Sequence, residues 1–120
     1  MDKQYNQFNN IIDNFLDELQ KILPGEKDII IFRSQLDITK MITPSKILES
    51  FLKFVYPYKQ QILERNESFF LGDNVGVKED YLSNAIHLTD LWKTKLSKEN
   101  KEVVWKYFQV MIIIADKSKH

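Results

Sequence analysis

Residues 96–117, LSKENKEVVWKYFQVMIIIADK, are the most distinctive stretch of the chain and decide its fold class. Its lysines stand beside a Trp and a Tyr, as on a nucleic-acid surface, and its apolar run resembles a membrane span or a buried helix. Between Val103 and Ile114, ten of twelve residues are apolar, whereas a membrane helix requires about twenty. The stretch therefore predicts a helix, capped by Ser97, in the centre of a helical bundle.

Upstream of this stretch, helical spacing continues towards the start of the chain. Apolar residues recur at steps of three and four from Phe8 to Ile22, which predicts a first helix at about residues 3–23. The run Ile29–Phe32 suits a buried strand or a helix. A helix is favoured because the chain offers no second strand candidate to pair with it.

Proline and glycine positions divide the middle of the chain. Thr43 and Pro44 predict the N-cap and first position of a third helix, and Pro57 predicts its interruption. Residues 66–77 hold turn-forming Gly and Asn and predict an irregular segment, and about 78–95 predicts a fourth helix. The expected fold is all-α, a single domain over residues 1–120, compact, with about five helices and the C-terminal helix central.

The composition excludes several classes of function. The chain has 17 basic and 17 acidic residues, so it has no overall attraction to nucleic acid or to an anionic membrane. It has no Cys, which excludes disulfides, thiol nucleophiles and thiolate metal sites. Its polar start predicts no secretory signal, and an intracellular location without membrane insertion is expected.

A search for catalytic motifs finds no glycine-rich phosphate loop, no G-x-S-x-G elbow and no H-E-x-x-H. His87 stands three residues before Asp90, so a helix would bring the two side chains to one face. A single His beside apolar residues is more often structural than catalytic. No catalytic residue, metal ligand or cofactor is predicted, and the protein is not expected to be an enzyme.

The aromatic content points to a protein-interaction role. Eight Phe, five Tyr and two Trp exceed what a small core requires. Tyr56, Phe69 and Phe70 lie in or near the predicted irregular segment, where exposed aromatic side chains anchor protein partners. The alternative is that they close the edge of the core. The leading expectation is a non-enzymatic helical interaction module with a protein partner or self-association.

A lysine cluster supports a second hypothesis. Lys93, Lys95, Lys98 and Lys101 belong to a segment, residues 93–119, with seven Lys and only three acidic residues. Such a cluster predicts weak, sequence-independent nucleic-acid binding through phosphates. The alternative is that these lysines solubilise a turn and pair with nearby carboxylates. The segment has no Arg, the side chain that most often contacts guanine, which argues against base recognition.

One resemblance covers nearly the whole chain. Its basis is the layout YPYK, then ESFFL, then LW followed by LSKENKEVVWKY. In this layout the chain resembles small helical proteins encoded by large nucleo-cytoplasmic DNA viruses, including relatives of mimiviruses and phycodnaviruses. The resemblance implies a viral origin and an infected-cell setting, in the host cytoplasm or the virion. In that setting the expected interaction module is a structural or adaptor protein. It implies no catalytic residue.

Overall fold

The computed structural model describes residues 2–72 and 75–119 and is all-helical over both ranges. They contain nine α-helices and one 3₁₀ turn: α1 (Asp2–Ile22), α2 (Lys27–Ile42), α3 (Lys46–Phe54), the 3₁₀ turn (Tyr56–Tyr58), α4 (Lys59–Leu63), α5 (Ser68–Leu71), α6 (Val75–Glu79), α7 (Tyr81–Ala85), α8 (Leu88–Thr94) and α9 (Lys98–Lys119). The predicted all-α class is confirmed. The predicted number of about five helices is wrong.

Helices α1 and α2 follow the apolar spacing of the sequence. Most of the apolar stripe of α1 from Phe8 to Leu19 is fully buried, Ile11 is partly buried, and the helix ends just before Pro24. In α2, Ile29, Phe32 and Leu36 are buried at helical steps of three and four. The ambiguous run Ile29–Phe32 is therefore helical, and only part of it faces the core.

Helix α3 begins at Lys46, two residues later than the predicted start at Pro44. The Lys46 N–H donates to the Thr43 carbonyl at 3.1 Å, so these residues form a turn ahead of the helix. The predicted interruption at Pro57 is present, because α3 ends at Phe54 and a 3₁₀ turn leads into α4. Proline has no N–H for the helical ladder and disfavours helix in the residue before it.

The predicted fourth helix, 78–95, is divided among α6, α7 and α8. The first break is at Asp80, whose extended backbone lets its carboxylate accept from the Ser83 N–H as an N-cap. The second is at His87, which adopts a left-handed conformation with φ 52°. The segment 66–77, predicted as irregular, contains α5 and the beginning of α6; its residues 73 and 74 lie outside the described residues.

The C-terminal helix α9 packs against α1, α3 and α4, as its apolar run predicts. The predicted cap is present, since the Asn100 N–H donates to the Ser97 hydroxyl at 3.1 Å. Phe108, fully buried, lies within ring-contact distance of Phe15, Phe51 and Phe70. The radius of gyration is 13.3 Å, and a single compact domain of this length is expected to have a value of about 13.6 Å.

Candidate functional site

Two of the predicted protein anchors are core residues. Phe69 and Phe70 are both fully buried, so the prediction that they form an exposed anchor is wrong. The Phe70 ring stacks on Trp92 with centroids 4.2 Å apart, and Phe69 meets Phe70 at 4.9 Å in a T-shaped contact. The short helix α5 turns both rings inward, and burial of apolar surface holds them there. Their burial agrees with the alternative hypothesis from the sequence, that these rings close the edge of the core.

The third predicted anchor, Tyr56, is half-buried and already engaged. Its hydroxyl donates to the Asp116 carboxylate, which also accepts from the Lys59 ammonium at 2.7 Å. The hydrogen bond to Asp116 raises the pKa of Tyr56 above its ordinary value. The Lys119 ammonium lies 4.8 Å from the centroid of the same ring. Tyr56 therefore fastens the end of α9 to the 3₁₀ turn.

The four predicted nucleic-acid-binding lysines lie around the connection between α8 and α9. Lys95 pairs with Glu26 at 3.0 Å, and Lys101 lies 3.9 Å from a Glu67 oxygen. Lys93 and Lys98 are exposed. Because carboxylates offset the charge of two of the four, the cluster presents less positive potential than the sequence suggests. Nucleic-acid binding here stays a prediction.

His87 lies between two open clefts of about 340 and 310 Å³. Its Nε2 is 3.5 Å from an Asp28 oxygen, so the paired carboxylate comes from α2 instead of the predicted Asp90. Asp90 lines both clefts. Among the described side chains, no group of three or more His, Asp or Glu residues is placed to hold a metal ion. A solvent-exposed His–Asp pair alone defines no reaction.

The most unusual surface is one that the sequence analysis did not single out. Five large apolar side chains of α2 face solvent; we call them the outer face of α2: Ile30, Ile31, Ile38, Met41 and Ile42. At 3.6 residues per turn they fall within an arc of about 120°, opposite the buried face of the same helix. Met41 is 85% exposed and Ile42 is 76% exposed. Helix α2 is thus apolar on two sides and has core contacts on only one.

Two of the cations of α2, Arg33 and Lys40, turn away from this face. Arg33 turns towards α1, where it lies 2.8 Å from Asp17 and donates to the Asp13 carbonyl at 3.2 Å. Lys40 also turns towards α1 and contacts Asp13 at 2.5 Å. These ion pairs hold the flank of α2 on α1 and direct both side chains away from the outer face, whereas Lys27 lies on its arc. Residues 27–42 contain more apolar residues than one buried stripe of a helix requires, and this excess was the signal for the outer face in the sequence.

Across residues 2–72 and 75–119, no helix combines the length and hydrophobicity needed to cross a membrane. Comparison of the chain with models of protein families, with curated proteins and with solved structures gives no match.

Proposed function

We propose that this chain is a non-enzymatic protein-interaction module that binds a protein through the outer face of α2. The observation that carries the proposal is the exposure of five large apolar side chains along one side of a single helix. Single exposed apolar residues are ordinary on soluble proteins, whereas contiguous apolar patches mark interaction surfaces.

Because these side chains are exposed, their burial by a partner would contribute favourably to the binding free energy. Full burial of an Ile or Met side chain contributes ~1.5–3 kcal/mol, and Met41 and Ile42 are the most exposed members of the face. An amphipathic helix that lays its apolar side into a groove uses the same i, i+3, i+4, i+7 anchors. Met41 and Ile42 are therefore the expected hot spots.

Binding and folding should be separable by substitution here. The inner face of α2 packs through Ile29, Phe32 and Leu36, so the outer side chains are not required for the core. A double variant, Met41→Glu with Ile42→Lys, leaves the net charge unchanged and removes the apolar anchors; we call it the α2 variant. A matched control, Val110→Glu with Ile113→Lys, makes the same change at two exposed apolar residues of α9; we call it the α9 variant.

The test compares tagged wild type, α2 variant and α9 variant expressed in the same cells. Proteins that copurify are quantified, and lysine cross-links from Lys27, at the start of α2, locate their contact site. We expect partners that cross-link to Lys27 to be retained by the wild type and the α9 variant and lost from the α2 variant. The same partners on all three proteins would overturn the proposal.

A further inference from the structure

The outer face of α2 has an internal symmetry in its spacing. Positions 30 and 42, 31 and 41, and 34 and 38 are equidistant from Leu36, which itself faces the core. Four of these six positions form two pairs of large apolar residues, and the third pair combines Ile38 with the small side chain of Ser34. In an antiparallel pair of identical helices, positions equidistant from the dyad lie opposite each other.

We propose that the outer face of α2 binds the same face of a second copy of this chain, with the two helices antiparallel about a two-fold axis at the level of Leu36. The inference rests on the proposed function and specifies its partner. In this register Ile30 meets Ile42 of the second copy, Ile31 meets Met41, and Ile38 packs over Ser34. Residues 31, 34, 38 and 41 also have the alternating three- and four-residue steps of a coiled-coil seam.

The charges on the face favour this orientation over a parallel one. Lys27 lies on the same arc as the apolar residues, at the start of α2. In the antiparallel pair it lies beside the C-terminal carbonyls of the other α2, where a cation is favourable. A parallel pair would place Lys27 against Lys27 and Asp37 against Asp37. Since the whole chain has a net charge of zero, two copies are not kept apart by overall repulsion.

The size of the face sets the expected strength of the dimer. A 16-residue helix is about 24 Å long, so two such faces bury less than the roughly 1,200 Å² at the lower limit of stable interfaces. We therefore expect a weak, concentration-dependent dimer with a dissociation constant that is roughly micromolar.

Sedimentation equilibrium of the wild type, the α2 variant and the α9 variant tests the dimer. We expect the wild type and the α9 variant to pass from monomer to dimer as concentration rises, and the α2 variant to stay monomeric with an unchanged helical circular dichroism signal. A wild type that stays monomeric at roughly millimolar concentration would overturn the proposal. So would a dimer that the α2 variant forms equally well.

The orientation can be tested because the chain contains no cysteine. Ile31→Cys and Met41→Cys are made separately, and one of the two carries a size tag. In the antiparallel register, identical positions are offset by ten residues, about 15 Å along the axis, which exceeds the reach of a disulfide of roughly 7 Å between Cα atoms. We expect mild oxidation to join Ile31→Cys to Met41→Cys in the mixture and to leave each variant alone unlinked. Preferential linkage within each single variant would overturn the arrangement.

The two proposals fail in different ways. If the wild type is monomeric but its cross-linked partners are still lost from the α2 variant, the dimer proposal is rejected. The proposed interaction role of the outer face of α2 is then retained. A wild type that neither dimerises nor has any partner that depends on the α2 face removes both.

Discussion

Asp80 is the buried charge on which the break between α6 and α7 depends. It is 1% exposed, and its carboxylate accepts from the Ser50 hydroxyl at 3.1 Å and from the Ser83 hydroxyl at 3.0 Å. Loss of solvation on burial raises its pKa from 3.8 to about 6, and these hydrogen bonds oppose the rise. The folded protein therefore holds a proton on Asp80 more firmly than the unfolded chain does.

The pH dependence of stability follows from that raised pKa. The contribution of protonated Asp80 is fully present below the unfolded pKa of 3.8 and is lost as pH rises through the folded value of about 6. Asp80→Asn keeps a good N-cap and removes the titration. Relative to this variant, we expect the wild-type free energy of unfolding to fall by roughly 2–3 kcal/mol from about pH 4 to about pH 7. Urea unfolding of both proteins measures it, and a difference that does not change with pH would contradict the account.

Phe108 tests the core at the level of one side chain. It is fully buried among aromatic rings of α1, α3 and α5. Phe108→Ala leaves a cavity there, so we expect a loss of ~3–5 kcal/mol in the free energy of unfolding by chemical denaturation. Val110→Ala on the exposed side of the same helix is the control and should change stability by less than about 1 kcal/mol. A similar small loss at Phe108 would contradict the position of α9 in the core.

The sequence predicted correctly which side chains are buried in the long helix α1, but it did not do so in the short helix α5. The spacing of α1 identified Phe8 and Phe15 as core residues, because a helix links position to face. Phe69 and Phe70 lie in a single helical turn, and no periodicity there indicates which way the rings point. Their burial depends on tertiary contacts with Trp92 and Phe108, which local sequence does not specify.

Among the elements, the connections explain most of the difference between about five predicted helices and those of the structure. The break at Pro57 was predictable because proline breaks a helix wherever it occurs in the interior. The breaks at Asp80 and His87 were not predictable, because Asp and His also occur inside helices. Asp80 ends α6 only because Ser83 and Ser50 surround its carboxylate, and His87 adopts a conformation usually left to Gly or Asn.

The left-handed conformation of His87, between α7 and α8, leads to a prediction about thermal stability. This conformation costs a residue with a Cβ about 1–2 kcal/mol, a cost that glycine avoids. The His87–Asp28 pair is half-exposed on both sides and contributes little. We therefore expect His87→Gly to maintain or raise the melting temperature, and His87→Val, with a β-branched side chain at positive φ, to lower it. Thermal melts of both variants decide it, and a glycine variant less stable than the valine variant would contradict the backbone assignment.

Helix α2 shows where sequence analysis missed the candidate site. The sequence interpretation of the run Ile29–Phe32 concerned only whether it is a strand or a helix, and not which of its side chains face solvent. A helix of 16 residues with apolar residues on two opposite sides either lies inside a bundle or exposes one apolar side. Which of the two applies depends on how many elements surround it, and in this fold α1 and α7 pack against it while the outer face is left open.

For the whole molecule, a closed aromatic core and a neutral net charge leave one surface as the main candidate for recognition. The interior is filled without the outer face of α2, and the ion pairs of Arg33 and Lys40 hold that helix in place. A surface with rigid support and unburied apolar area requires little rearrangement on binding, which favours affinity. In the proposed arrangement this face is the binding surface, and a second copy of the chain occupies it.

Met41 and Met111 allow the proposed dimer to be measured inside one protein. Met41 lies on the outer face of α2 and is 85% exposed, whereas Met111 lies in α9 and is fully buried. With methyl-labelled methionine, NMR spectra recorded from roughly micromolar to millimolar concentration follow both sites in one protein. We expect the Met41 methyl resonance to shift progressively with concentration and the Met111 resonance to stay fixed, and we expect Ile38→Glu to abolish the Met41 shift. A Met41 resonance that stays fixed over the whole range, or shifts equally in the Ile38→Glu variant, would contradict the proposed dimer.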